Sequence, residues 1–491
     1  MTAGLRAGTA SGGPTTTGVK MNDATALAGQ VRAGEFDAAT TVEDAIARCE
    51  QVNPTINAIV EQTFDAARER AAALDASGPS RGLLAGVPIA LKDLFCPAEG
   101  EPGYQGNRRL AELDYRYPET GAVARRLAEA GAISIGHSHS PELGGGQCPA
   151  AAETHLYGPT RNPWNTDHTV LGSSGGAAAA VAAGIVRIAH ASDGGGSIRI
   201  PASFTGAFGL KPSQGRIPRG PMKAWDYGST AVYGPLTRTV SDAALFLDLV
   251  AGPSPCDPVS LPHPGLSYRE TLDSGLPRSI RIAWSPDLDY ARVQSDVATI
   301  ASDAAAAFDE AGFDLELLED HVPGGPPMLT AAWGALGNFL IAGQIHEPLR
   351  KQREDMTHSF AEALERSWDM TPETFGAAAR ERGQLNLWCG DVFDRFDLLL
   401  TPTVPYDPPP ARGPFPTHTG GREQVPAGVA AFTIPFNMSG HPAATVRAGL
   451  SDAGLPVGLQ IVGPRHHDDL VLRAARLFER ARPWHPNWPD V

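Results

Sequence analysis

Two periods of apolar and polar residues divide the chain into segments. Val42, Ala45, Ile46, Cys49 and Val52 recur at helical intervals, with Thr40 and Glu43 at capping-box spacing before them and Asn53-Pro54 as the stop. A second helical pattern runs from about Thr63 to Leu74, and a third spans Gly121–Ala130. Gly86–Asp93 (GVPIALKD) reads instead as a short buried strand that ends in charge, and Ala132–Ile135 as another. The Gly/Pro/Asn-rich passage from there to Leu171 is too irregular for regular structure, and loops of that length are often functional.

Past this passage, Gly172-Ser173-Ser174-Gly175-Gly176 opens an Ala-rich helix through Ala183, Val186–Ala191 reads as a strand, and Asp193–Gly196 as a tight glycine turn. Ile280–Trp284, Phe313–Leu318 and Asp397–Leu400 continue as strands, with a helix from about Ser295 to Ala311 between the first two. Helices alternating with strands give an α/β class. Length alone leaves one large domain or two modest ones open, and the segment at about 322–390 reads as a mainly helical insertion or cap near the pocket mouth. No internal repeat of solenoid length occurs.

Composition narrows the partners. Hydrophobic residues make up 42% and charged residues 19%, a balance that buries a core. A net charge of −15 with no dense Lys/Arg run speaks against nucleic acid or an anionic membrane and favours a small neutral substrate. The five cysteines, Cys49, Cys96, Cys148, Cys256 and Cys389, are scattered without metal or disulfide spacing, as in a reduced cytoplasm. Residues 1–20 read as a flexible tail with neither a signal peptide nor an anchor, and no apolar run elsewhere approaches the roughly 20 residues of a spanning helix.

Three places join a reactive side chain to a permissive backbone: Lys92, the Ser173-Ser174 pair, and Ser197 after Gly194-Gly195-Gly196. A lysine at a strand end is ordinarily a solvated group, but Val87, Ile89 and Leu91 indicate burial, which favours the neutral amine and so a general base. Gly-Gly-Gly is ordinarily a plain turn, yet successive unencumbered N–H groups also converge on an anion, and a serine directly after them is placed as a nucleophile. That hydroxyl needs a base or a relay, and Ser173 is the candidate bridge. Glycine-flanked Ser-Ser is equally an ordinary flexible loop.

Together these segments resemble the amidase signature family. The likeness covers Gly86–Asp93, Tyr157–Gly176 (YGPTRNPWNTDHTVLGSSGG), Ser192–Arg219 (SDGGGSIRIPASFTGAFGLKPSQGRIPR), Tyr233–Gly252 and Phe436–Pro464, across most of the chain after residue 80. The resemblance implies the family's fold, one domain over 21–491 built on a large mixed central sheet covered on both faces by helices. It implies Ser197 as acylated nucleophile, Ser173 after a cis peptide as proton relay, Lys92 as base, and an oxyanion hole from Gly194, Gly195 and Gly196. Ser174 would support Lys92, while Asp193 and Arg199 look structural. The implied reaction is cleavage of amide-type C–N bonds in an amide, anilide or carbamate, with esters as a side activity and neither cofactor nor metal. A homodimer is common among relatives.

Three departures bear on pocket shape: Leu171 where Gly is usual, Ala177 for a common Ser, and His137-Ser138-His139 where a Lys-Thr-Asn-like run is frequent. The alternative reading is the glutaminase subunit of a tRNA-dependent amidotransferase; Trp333, Trp368 and Trp388 favour a stand-alone hydrolase of bulkier substrates. Pocket walls are expected from Gly144–His155, Met222–Tyr233, Met328–Ile345 and Trp388. A nucleophile elbow at Ser174 with Asp397 and His441 is disfavoured, because Asn162–His168 before it is polar and Pro-broken. His137, His139 and Glu142, or His466, His467 and Asp468, read more naturally as hydrogen-bonded residues than as metal ligands.

Overall fold

A computed structural model describes residues 23–78, 82–144, 153–154, 156–220, 230–344, 354, 356–484 and 487–491. The expected tail at 1–20, Cys148, and most of the pocket-wall residues proposed at Gly144–His155 and Met222–Tyr233 lie outside the described residues. Of the wall at Met328–Ile345, Trp333 is described, whereas the Met328 side chain and Ile345 are not.

Eleven strands form one sheet. In chain order they are β1 (Ile59–Gln62), β2 (Pro88–Lys92), β3 (Ile133–Ser138), β4 (Ile188–Asp193), β5 (Phe208–Lys211), β6 (Val232–Thr237), β7 (Arg281–Trp284), β8 (Asp314–Leu317), β9 (Leu398–Pro402), β10 (Ala443–Leu450) and β11 (Pro456–Val462). Their spatial order is β1-β3-β2-β4-β6-β5-β10-β11-β9-β7-β8. β2 runs parallel to β3 and β4, and β7 parallel to β8 and β9, while the remaining pairs are antiparallel. The sheet is therefore mixed, as the resemblance implies.

Side-chain alternation divides the core between its two faces. Ile89, Leu91, Ile188, Ile282, Leu398, Leu400, Leu459 and Ile461 enter one core with the helices Val240–Val250, Ser295–Glu310 and Asp468–Ala481. Ala90, Ala189 and Ala191 enter a second, against Ala38–Ile56 and the Ala-rich helix Gly175–Ala182, and Ala283, Leu399 and Val462 enter a third on that side. Alanine on both the strands and the helix lets that helix lie close above β2 and β4, which is what brings its N-terminal serines over the strand ends.

Sequence and structure differ at several boundaries. The first predicted helix starts at Ala38 with Asp37, not Thr40, as its cap; the Asp37 carboxylate accepts from Thr40 N–H at 2.7 Å. It also runs through Pro54 to Ile56, because a proline in the last turn removes only one helical bond and left-handed Asn57 supplies the stop. The polar stretch before Leu171 is not all loop: Asn165–Thr169 pairs with Arg161–Asn162 in a two-stranded ladder outside the main sheet. β4 begins later than the sequence suggests and takes in Ser192 and Asp193. The segment from about 322 to 390 carries the helices Gly325–Gln344 and His358–Trp368 and most of Pro372–Arg395.

Candidate active site

The parallel neighbours β2 and β4 pair Ile89 with Ile188 and Ala90 with Ala189, so Lys92 and the Ser192-Asp193 pair finish at the same edge. The chain enters the helix Gly175–Ala182 through a cis peptide between Gly172 and Ser173, with Ser174 as N-cap. Ser174 N–H donates to the Ser197 carbonyl at 3.2 Å, which holds the two serine-bearing turns side by side.

Lys92 is fully buried, and its Nζ lies 2.7 Å from Ser173 Oγ, 2.9 Å from Ser174 Oγ and 2.8 Å from Ser192 Oγ. Burial lowers its pKa to about 7, against the opposing pull of the Asp193 carboxylate. Ser174 in turn donates to the Ser192 carbonyl at 3.0 Å, so its hydrogen is committed and it supports the lysine as an acceptor. Ser192 belongs to this cage but is missed by the sequence reading; its signal is its place next to Asp193 on a strand beside that of Lys92.

Asp193 organises the turn that follows. Its carboxylate accepts from the N–H groups of Gly196 (2.8 Å), Ile198 (3.1 Å) and Arg199 (3.3 Å) and pairs with the Arg199 guanidinium at 2.9 Å. Burial alone would raise its pKa, but Arg199, Lys211 and Asn437 outweigh that and hold it well below the usual carboxylate range. Arg199 also reaches Gln460 and Asn437, so this pair is a buried, fully hydrogen-bonded frame.

The carbonyls of the same turn are held from outside. Asn437 Nδ2 donates to Asp193 O at 3.0 Å, Trp333 Nε1 and Thr230 Oγ1 donate to Gly194 O at 2.7 and 2.8 Å, and Thr433 Oγ1 donates to Gly195 O at 2.6 Å. Among the described residues, the N–H groups of Gly194, Gly195 and Ser197 meet no protein acceptor, whereas that of Gly196 is taken by Asp193. The glycine run points to the amides of Gly194, Gly195 and Gly196 for an anion; among the described residues the amides that meet no protein acceptor are instead those of Gly194, Gly195 and Ser197. Ser197 and Ser173 are each partly exposed, and no hydrogen bond joins their hydroxyls.

Other candidates fall elsewhere. Ser174 is wholly buried, Asp397 accepts from Arg281 N–H at 2.8 Å, and His441 bonds Ser439 and stacks on Phe393, so no elbow triad assembles. His137 Nε2 lies 2.8 Å from Glu101, His139 Nδ1 lies 2.7 Å from Thr160, and Glu142 accepts from Asn107 and Thr357. Asp468 accepts from Ser213 N–H and Arg216. Among the described residues no group of three His, Cys, Asp or Glu is arranged to hold a metal, and no helix is long and apolar enough to cross a membrane.

Comparison with known proteins is consistent across most of the chain. A family model described as Amidase matches residues 40–472. The chain is 37% identical to an acylamidase from Rhodococcus erythropolis over 94% of this chain and 95% of the relative. It is 34% identical to a 6-aminohexanoate-cyclic-dimer hydrolase from Paenarthrobacter ureafaciens, covering 96% of both. Among solved structures, a bacterial aryl acylamidase of the amidase signature family superposes with a TM-score of 0.88 at 33% identity, over 95% of this chain and 98% of that one.

Proposed function

The chain belongs to the amidase signature family of amidohydrolases, and we propose that it cleaves small-molecule amide or anilide C–N bonds through an acyl-enzyme on Ser197. Lys92 is the base and Ser173 the relay. The observation that carries this reading is the buried Lys92 amine, its pKa brought to about 7, at 2.7 Å from the Ser173 hydroxyl.

In the forward step neutral Lys92 takes the Ser173 proton, and Ser173 takes that of Ser197 as Ser197 Oγ bonds the substrate carbonyl carbon. The negative oxygen so formed faces the N–H groups of Gly194, Gly195 and Ser197, each such donor worth roughly 2.7–4 kcal/mol in a site of this kind. Collapse breaks the C–N bond, and the relay runs backward to protonate the departing amine. Water then repeats the sequence on the ester. The Ser173–Ser197 bond forms as substrate seats, since catalytic hydrogen bonds tighten in the reacting complex.

Trp333, partly exposed beside Gly194 and Gly195, supplies an apolar wall suited to an aryl or other bulky neutral group. The names of the relatives, acylamidase and aryl acylamidase, fit such a substrate. Aryl carbamates and esters follow as secondary substrates, since both present a carbonyl and a leaving group to the same relay.

A panel of a p-nitroanilide, a primary amide, an aryl carbamate, an ester and glutamine, assayed with wild type and Lys92→Ala, tests this function. The expected result is anilide or amide hydrolysis that the variant loses, with glutamine untouched. Activity on glutamine alone would make the chain a glutaminase subunit of an amidotransferase, and undiminished activity in the variant would remove Lys92 from the mechanism.

A further inference from the structure

We infer that Trp333, together with Thr230, is a positioning residue that aims the Gly195 N–H at the reacting carbonyl, an assignment that rests on the acyl-enzyme reading above. In a trans peptide the C=O of one residue and the N–H of the next point in opposite directions, and the Gly194–Gly195 bond is trans. Whatever grips the Gly194 carbonyl therefore fixes where the Gly195 N–H points. Two side chains do so, Trp333 Nε1 at 2.7 Å and Thr230 Oγ1 at 2.8 Å.

The indole is also the ceiling of this peptide. A Cβ on Gly195 would come within 2.6 Å of its ring, so only glycine lets Trp333 lie this close. The neighbouring peptides are held in the same manner, Asp193 O by Asn437 and Gly195 O by Thr433. Trp333 differs from these in source: it comes from the helix Gly325–Gln344, in the segment read as a cap. One side chain of the insertion thus links the pocket wall to the alignment of an oxyanion donor. An interaction that orients an amide toward charge appearing only in the transition state acts on kcat more than on substrate affinity.

The test uses Trp333→Phe, which keeps a ring over Gly195 and removes the N–H donor, and Thr230→Val, which removes the other donor, beside Ser197→Ala. With a p-nitroanilide substrate, each of the first two should lower kcat by about tenfold, less than the loss of a direct oxyanion donor. KM should stay within about twofold, and affinity for phenylboronic acid, which forms a tetrahedral serine adduct, should fall in parallel with kcat. Unchanged kcat in both, or a loss confined to KM, would overturn the positioning role while an inactive Ser197→Ala left the acyl-enzyme reading standing. Full activity of Ser197→Ala would instead remove that reading itself.

Discussion

At the residue scale the decisive group is Lys92. Three hydroxyls surround its Nζ within 2.9 Å. They satisfy an ammonium as three acceptors, or a neutral amine as two acceptors and one donor, so the lysine can change protonation with no atom left unsatisfied. With its pKa near 7, the basic form grows as pH rises through that value, so acylation rates should climb across pH 6–8 and level off above; a flat profile would contradict the assignment. The same shift bears on stability. An unfolded lysine titrates near 10.4, so between about pH 7 and 10 the unfolded chain binds the extra proton, and this group's contribution to stability increases with pH. Lys92→Met should therefore be inactive, and the wild type should gain stability relative to it between pH 7 and 10 in urea denaturation. Lys92, Ser173, Ser174 and Ser197 stand out in the sequence because a charge ends an apolar strand and because serines adjoin runs of glycine. The hold that Trp333, Thr230 and Thr433 keep on the turn carbonyls is not legible there, since they reach across 139, 36 and 238 residues of chain, and no local pattern marks a side chain that serves a distant carbonyl.

At the element scale the site depends on how one strand end, one turn and one short helix are joined. The Asp193–Arg199 pair closes β4 onto the helix Arg199–Thr205 while both side chains are out of water. Arg199→Met would leave a buried, unpaired carboxylate and should cost about 3–5 kcal/mol in chemical denaturation, with activity lost alongside as the turn loosens. Gly196 has φ of +132° and would place a Cβ against Thr433 Oγ1 and Ile200, so Gly196→Ala should disturb the same turn, read as a fall in kcat with a smaller loss of stability. Element type was readable where one period dominated, as in Gly86–Asp93 and the helix containing Val42 to Val52. Boundaries were not, because Asp37 and Asn57 decide that helix's ends and Pro54 only weakens it. β10 and β11 are not read as strands from the sequence: apolar residues do alternate in both, but Gly449, Pro456 and Gly458 stand in the intervening positions and weaken the strand signal.

At the scale of the whole molecule, an eleven-stranded mixed sheet with helices on both faces holds Lys92 beside the serine-bearing turns, and the helical segment after β8 brings Trp333 against Gly194 and Gly195. Under the proposed function that division separates reaction from substrate: strands and turns would set how a carbonyl is attacked, and walls such as Trp333 which carbonyl arrives. The mixed sheet was foreseeable only through resemblance, since strand order is set by pairings between segments far apart in sequence. Replacing His441, which bonds Ser439 and stacks on Phe393, should leave the relay's pH profile unchanged even where it alters stability. The proposed mechanism requires a covalent intermediate on Ser197. Rapid-quench turnover of a p-nitroanilide, followed by intact-mass and peptide mapping, should reveal a single acyl group on Ser197, absent in Ser197→Ala and slowed in Lys92→Ala. An acyl group on another residue, or wild-type turnover in Ser197→Ala, would contradict it.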